Sequence, residues 1–284
     1  MDRRGAVGRR APRQSDSQGV PAVIPLVERR RYYRAALRFS RLARRVVQRR
    51  VARGFRARLK ADASFVTDVD LAVERALRRA IARAYPDHGI LGEELPPARR
   101  QAPLQWILDP IDGTTSLTHG IPFYGTIIAL HHEGTPLIGV IDLPALGRRY
   151  SAGVGLGSWC DGRRLRIRDV AARAIAKEVV SAGDRDRFVQ CRAGAAFDRL
   201  MREHPTVRGY VDCIAHCFAA EGLVGAVVDY GVKLWDIAAT QVLIEEAGGR
   251  YVLGYQSQSQ DPPLYGIICG KPAVVRRLER LFVD

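Results

Sequence analysis

The stretch WILDPIDGTTS, residues 106–116, carries two carboxylates from a short apolar run into a Gly/Thr turn. Trp106, Ile107 and Leu108 have the character of a buried strand end, and Pro110 lacks the N–H that a ladder needs, so the strand is expected to stop at Asp109. Asp109 and Asp112 are then held near one point. Two anions so placed repel unless a cation sits between them, and hard oxygen ligands of this kind suit Mg²⁺ or Mn²⁺. Gly113 permits close approach of backbone to a ligand, and the N–H groups of Thr114, Thr115 and Ser116 open a helix at which an anion can be cradled. Taken alone, the D-P-x-D spacing equally fits an Asx-type turn with Asp112 as a helix cap.

The chain around this stretch has 284 residues, 47% of them apolar, enough for a large core in one domain or two subdomains. Its net charge of +15 suggests a polyanion partner until it is divided along the chain. Residues 1–58 hold 18 Arg against three acids, whereas residues 59–284 hold 27 basic and 27 acidic residues. The body is neutral and all the excess is N-terminal. Residues 1–20, polar and Arg-rich with Gly, Pro and Ser, are expected to be a disordered basic leader. No apolar run reaches the ~18 residues of a membrane span and no secretory signal pattern is present, so a cytoplasmic location is expected. The five cysteines are odd in number and lack CxxC spacing, which points to neither a disulfide framework nor a zinc site.

Over 25–59, Tyr32, Ala36, Phe39, Ala43 and Val46 recur every three or four positions and predict one helix with an Arg-rich outer face. That face reads as solvated rather than as a nucleic-acid-binding surface, because no aromatic residues are interleaved for stacking. Val73, Leu77, Ala80, Ile81 and Ala84 predict a second helix with Asp68 and Asp70 at its start and a Glu74–Arg78 pair. Residues 126–131, 137–143 and 148–152 read as an antiparallel meander, continued by a turn at Asp161-Gly162. His131 and His132 read as a solvated pair. From residue 179 strands alternate with helices, one of them running from Asp236 to a Gly pair, and a last helix opens at Pro272. The expected organisation is therefore a leader at 1–20, an antiparallel-sheet half at 21–175 and an alternating α/β half at 176–284.

Three strings, GEE at 92–94, DPIDGTT at 109–115 and WDIAA at 235–239, occur in an order that resembles the inositol-monophosphatase-like superfamily of metal-dependent phosphatases. The resemblance covers residues 30–284 and implies a layered α-β-α-β-α sandwich, an α/β (α+β) fold. It implies that Glu93, Asp109, the carbonyl of Ile111, Asp112 and Asp236 hold two or three Mg²⁺ ions, with Asp109 bridging. It further implies that Asp70, Glu93 and Thr114 activate water, that Gly113, Thr114 and Thr115 bind phosphate, and that the protein is a homodimer. Residues 120–150 and 209–222 are similar to the bacterial histidinol-phosphatase branch. There Asp212 and Asp229 would face the organic part of the substrate, and two acids suit the ammonium and imidazole of histidinol phosphate. Ser116 departs from the Asn usual in inositol phosphatases. Inositol-1-phosphate is the competing substrate, and a basic nucleic-acid- or membrane-binding protein on a phosphatase scaffold is the competing class.

Overall fold

The computed structural model describes residues 24–61 and 63–283, and the 1–20 leader lies outside them. Helix α1 (Leu26–Arg53) buries Tyr32, Ala35, Ala36, Phe39, Ala43 and Val47 along one stripe. It ends at Arg53 and not at Leu59, because Gly54 takes a φ of +79° and strand β1 (Ala57–Leu59) pairs antiparallel with β2 (Phe65–Thr67). Helix α2 (Asp68–Ala84) follows directly, capped by Thr67 in a reciprocal box with Asp70.

The first sheet has seven strands in chain order: β3 (Gly89–Gly92), β4 (Leu104–Asp112), β5 (Gly125–His132), β6 (Thr135–Leu143), β7 (Arg148–Gly153), β8 (Gly157–Cys160) and β9 (Arg163–Arg164). Only β3 and β4 pair in parallel. A five-residue helix, α3 (Thr114–Thr118), leads from β4 toward β5. The meander is as expected, and β4 and β5 show why their sequences are continuous apolar runs. Trp106, Leu108, Ile128 and Leu130 pack under α1 and α2, while Ile107, Ile127 and Ala129 face the second sheet. Trp106 is fully buried, and its truncation to Ala would cost about 3–5 kcal/mol.

The second sheet is built from β10 (Val180–Ala182), β11 (Val207–Arg208), β12 (Ala226–Val232), β13 (Arg250–Gln256) and β14 (Tyr265–Gly270), in the order β11-β10-β12-β14-β13. Its helices are α4 (Arg185–Gln190), α5 (Gly194–Glu203), α6 (Asp212–Glu221), α7 (Leu234–Ile237), α8 (Thr240–Glu246) and α9 (Pro272–Phe282). The expected single helix after Asp236 is two short ones, α7 and α8, and α4 was not expected. Helices α6 and α8 lie between the sheets, whereas α4, α5 and α9 cover the outer face of the second. The result is the five-layered α-β-α-β-α sandwich. Among the described residues no helix is long and apolar enough to cross a membrane.

Candidate active site

Strand β4 does not stop at Asp109. It continues to Asp112 through an irregularity in its pairing with β5, where Asp109 faces Ile127 but Asp112 faces Gly125. Pro110 sits inside this bulge, where no ladder N–H is required, and its carbonyl accepts from Thr126 Oγ1 at 2.8 Å. Regular alternation would put residues three apart on opposite faces; the bulge turns Asp109 and Asp112 to one side. Asp236, in the first turn of α7, enters from the other sheet's helices, its Oδ2 accepting from the N–H of Lys233 at 2.7 Å. Ligand atoms of Asp109, Asp112 and Asp236 all lie within 4.8 Å of one another.

Without a cation this cluster is electrostatically unfavourable. Burial, then Glu93, Asp112, Asp236 and Asp70, push the Asp109 carboxyl well above the usual range. Burial, with Asp212 and Asp236, does the same to Asp112, although Asp112 Oδ2 accepts from the Cys213 N–H. Asp236 is pushed up to about 7, chiefly by burial. Asp109 is 1% exposed, and its Oδ1 is buried without any hydrogen-bond partner. A buried carboxylate oxygen that aims at two other carboxylates and has no donor is what a hard cation would satisfy.

Beside the three acids stand Thr114 and Asp70. Thr114 Oγ1 is 2.8 Å from the Ile111 carbonyl and 3.2 Å from Asp70 Oδ1. The N–H of Thr67 binds Asp70 Oδ2 at 2.9 Å, and the Thr67 hydroxyl binds it too, which leaves Oδ1 for Thr114. Asp70 is fully buried, and burial lifts its carboxyl to about 6 against the lowering effect of Thr67. The carboxylate that caps α2 is here the same one that meets Thr114.

Glu93 is not part of the three-acid cluster; its Oε1 binds Lys60 Nζ at 2.8 Å, and Glu94 Oε1 binds the same ammonium at 2.6 Å. The GEE turn is held from behind by Glu74, fully buried, which accepts from the N–H groups of Glu94 (2.8 Å) and Leu95 (3.2 Å) and pairs with Arg78 at 2.7 Å. Gly92 is required there: a Cβ on it would lie 2.1 Å from Glu74 Oε1. The Glu74–Arg78 pair was expected from its i,i+4 spacing on α2; its hold on the GEE turn, and the place of Lys60, were not. Only the packing of α2 against β3 and β4 reveals their part.

On the far side, Asp212 opens α6 with a φ of +59°, unusual for a residue with a side chain. Its Oδ2 lies 3.2 Å from where a Cβ on Gly113 would be. Burial and the neighbouring Asp229 raise Asp212 to about 6. Asp229 Oδ2 is 3.3 Å from His216 Nε2, and His216 Nδ1 is 3.0 Å from Thr240 Oγ1. When Thr240 donates its hydroxyl proton to Nδ1, the neutral ring carries its own proton on Nε2 and donates it to Asp229 Oδ2. Thr115 is exposed at the start of α3, with Gly113 at a φ of +81° before it.

Residues 28–281 match the inositol monophosphatase family. The chain belongs to this family. It is 36% identical over 190 residues to a histidinol-phosphatase of Chlorobaculum parvum, spanning 67% of this chain and 73% of that one. It is 37% identical over 203 residues to the histidinol-phosphatase of Mycobacterium tuberculosis (67% and 75%), and 33% over 189 residues to the inositol-1-monophosphatase ImpA of Mycolicibacterium smegmatis (65% and 68%). Among solved structures, an IMPase/NADP phosphatase complexed with Mg²⁺ and phosphate superposes with a TM-score of 0.74 at 21% identity, covering 89% of this chain and 95% of that one, a likeness of fold.

In this member of the inositol monophosphatase family the histidines stand outside the carboxylate cluster. His131 is not solvated: it is 4% exposed and its Nε2 lies 2.9 Å from the Ala238 carbonyl, pinning the break between α7 and α8. The solvated-pair reading failed for His131 because local sequence could not show that the chain between α7 and α8 covers its face of β5. Cys213 and Cys217, one turn apart on α6, are both buried free thiols.

Proposed function

We propose that this phosphatase-family chain hydrolyses histidinol phosphate with Mg²⁺ bound by Asp109, Asp112 and Asp236, joined by Glu93 and the Ile111 carbonyl. The observation that carries the metal reading is the buried, unpartnered Asp109 Oδ1 inside a three-carboxylate cluster. Divalent ions bound there would neutralise charge on the phosphoryl oxygens and lower the pKa of an attacking water.

The chain's own groups supply the rest. The Thr114 hydroxyl has one proton for two acceptors; given to Asp70 Oδ1, it leaves the oxygen's lone pairs to accept from a water. Asp70, held near 6, is a base matched to neutral pH. The unpaired N–H groups in the first turn of α3 face an incoming phosphate, and Gly113 leaves room for it. Burial and the neighbouring Asp229 raise the cost of ionising Asp212, and a cationic substrate would relieve it. Histidinol phosphate offers such a cation, and the two histidinol-phosphatase relatives support this choice over inositol phosphate, which brings only hydroxyls.

The deciding experiment is phosphate release in Mg²⁺ from histidinol phosphate, inositol-1-phosphate, fructose bisphosphate and 3′,5′-nucleoside bisphosphate. A kcat/KM for histidinol phosphate at least tenfold above the others is expected. Preference for inositol-1-phosphate would overturn the substrate, and release from none would overturn the enzyme reading.

A further inference from the structure

The outer helical layer carries a charge pattern that the phosphatase site does not use. Along α1 the residues Arg30, Arg34, Arg38, Arg41, Arg45, Arg49 and Arg53 follow one another in steps of three or four and are all exposed. None has a hydrogen bond or ion pair among the described residues, in contrast to Arg29 on Val154, Arg44 on Asp142 and Arg50 on Asp68. Helix α2, packed against α1, adds exposed Arg75, Arg79 and Arg83 in the same i,i+4 rhythm. The first row spans roughly 35 Å, with successive positions about 6 Å apart along the axis at a rise of 1.5 Å per residue. Neighbours so close repel one another, and among the described residues no carboxylate forms an ion pair with them.

We propose that this face, expected from the sequence to be merely solvated because it lacks aromatic residues for stacking, binds the phosphate backbone of a nucleic-acid duplex, which needs no stacking, independently of base sequence. Three features select that partner. Every cation on α1 is Arg and none is Lys, which suits planar, two-pronged pairing to phosphate. The apolar stripe of α1 is spent on the core, with Ala35, Ala36, Ala43 and Val47 fully buried, so the helix has no face left to sink into a lipid interface. The row has no exposed aromatic residue to stack unpaired bases: Tyr32 and Phe39 are buried and the Tyr33 hydroxyl is bonded to Ser151 at 2.8 Å. A double-stranded backbone read by charge alone remains.

The test uses the full chain and fluorescence anisotropy with duplex RNA, duplex DNA, single strands of the same length, and phosphatidylserine vesicles. One variant replaces Arg34, Arg38, Arg41 and Arg45 by Gln; a second removes the same charge from exposed Arg166, Arg168, Arg173 and Arg202. With six or more phosphates contacted, duplex affinity falls about 10³- to 10⁵-fold between 50 and 200 mM salt, and the first variant shallows that log–log slope by about 3 to 4. The control should lose less than about threefold, and both variants should release phosphate as the wild type does. Equal losses in the two variants would show a general charge effect and overturn the proposal. So would binding to vesicles without duplexes, tighter binding to single strands, or no salt-dependent binding at all. The RNA and DNA arms identify which duplex is the ligand.

Discussion

Replacing Asp109 by Asn should have opposite effects on stability with and without Mg²⁺. In the metal-free protein the Asp109 carboxylate is buried within 4.8 Å of Asp112 and Asp236. At an effective dielectric of 20, two unit charges at that separation repel by about 3.5 kcal/mol, which is why all three carboxyls are pushed toward the protonated form. Asn is nearly isosteric and uncharged. Partial protonation already relieves much of the repulsion in the wild type, so a gain of about 1–2 kcal/mol in EDTA is expected, roughly 2–8 °C in Tm for a chain of this size. In Mg²⁺ the order reverses, since the wild type gains RT ln(1 + [L]/Kd), about 2.7 kcal/mol at a hundredfold excess over Kd, and the variant has lost a ligand. The assay is a thermal melt in EDTA and across a Mg²⁺ titration, paired with phosphate release, which should fall at least tenfold, a barrier increase of about 1.4 kcal/mol or more. An Asp109→Asn protein that melts lower in EDTA and responds to Mg²⁺ as the wild type does would refute the placement of a cation at these acids.

Asp70→Asn should lower kcat by about 10²- to 10⁴-fold while leaving the Mg²⁺-induced rise in Tm intact, because it removes the base and no cluster acid; loss of both would make it a structural cap only. Asp212→Ala should reduce kcat/KM for histidinol phosphate about ten- to a hundredfold, about 1.5–3 kcal/mol, through KM, and leave a small uncharged phosphate ester nearly unaffected; equal small effects on both would make Asp212 structural. Gly92→Ala should destabilise by about 3–5 kcal/mol, since its Cβ would displace Glu74 from Arg78 and strand a buried charge, and a change under 1 kcal/mol in denaturant melts would contradict that. Finally, with Asp70 and Asp212 at about 6 and Asp236 at about 7, against 3.8 unfolded, the native state holds more protons between about pH 4 and 7. Stability of the metal-free protein should therefore fall as pH rises through that window, and Mg²⁺ should flatten the slope; a rising slope in EDTA would contradict the raised values.

Much of the site was legible because its residues come from three local strings whose chemistry is intrinsic. Two carboxylates three residues apart, a left-handed glycine and hydroxyls at a helix start keep their meaning wherever they fold, and so do apolar stripes such as that of α1. Boundaries were less legible where tertiary partners compete with local preference. Pro110 argued for a strand end, yet β5 continues to pair with Asp112 around the bulge. The helix expected to reach residue 59 yields to β1 because β2 offers it a strand partner.

The order of residues settles an inventory: a neutral body with a basic N-terminal excess, alternating elements, and three acid-bearing strings in a fixed order. Which acids converge depends on the stacking of the layers. It brings Asp236 across from the second sheet to Asp109 and Asp112, leaves Glu93 on Lys60, and sets Glu74 behind the GEE turn. These are contacts over tens of residues, fixed by how sheets and helices stack, and a carboxylate's role depends on the distance to the next charge, which local sequence does not encode.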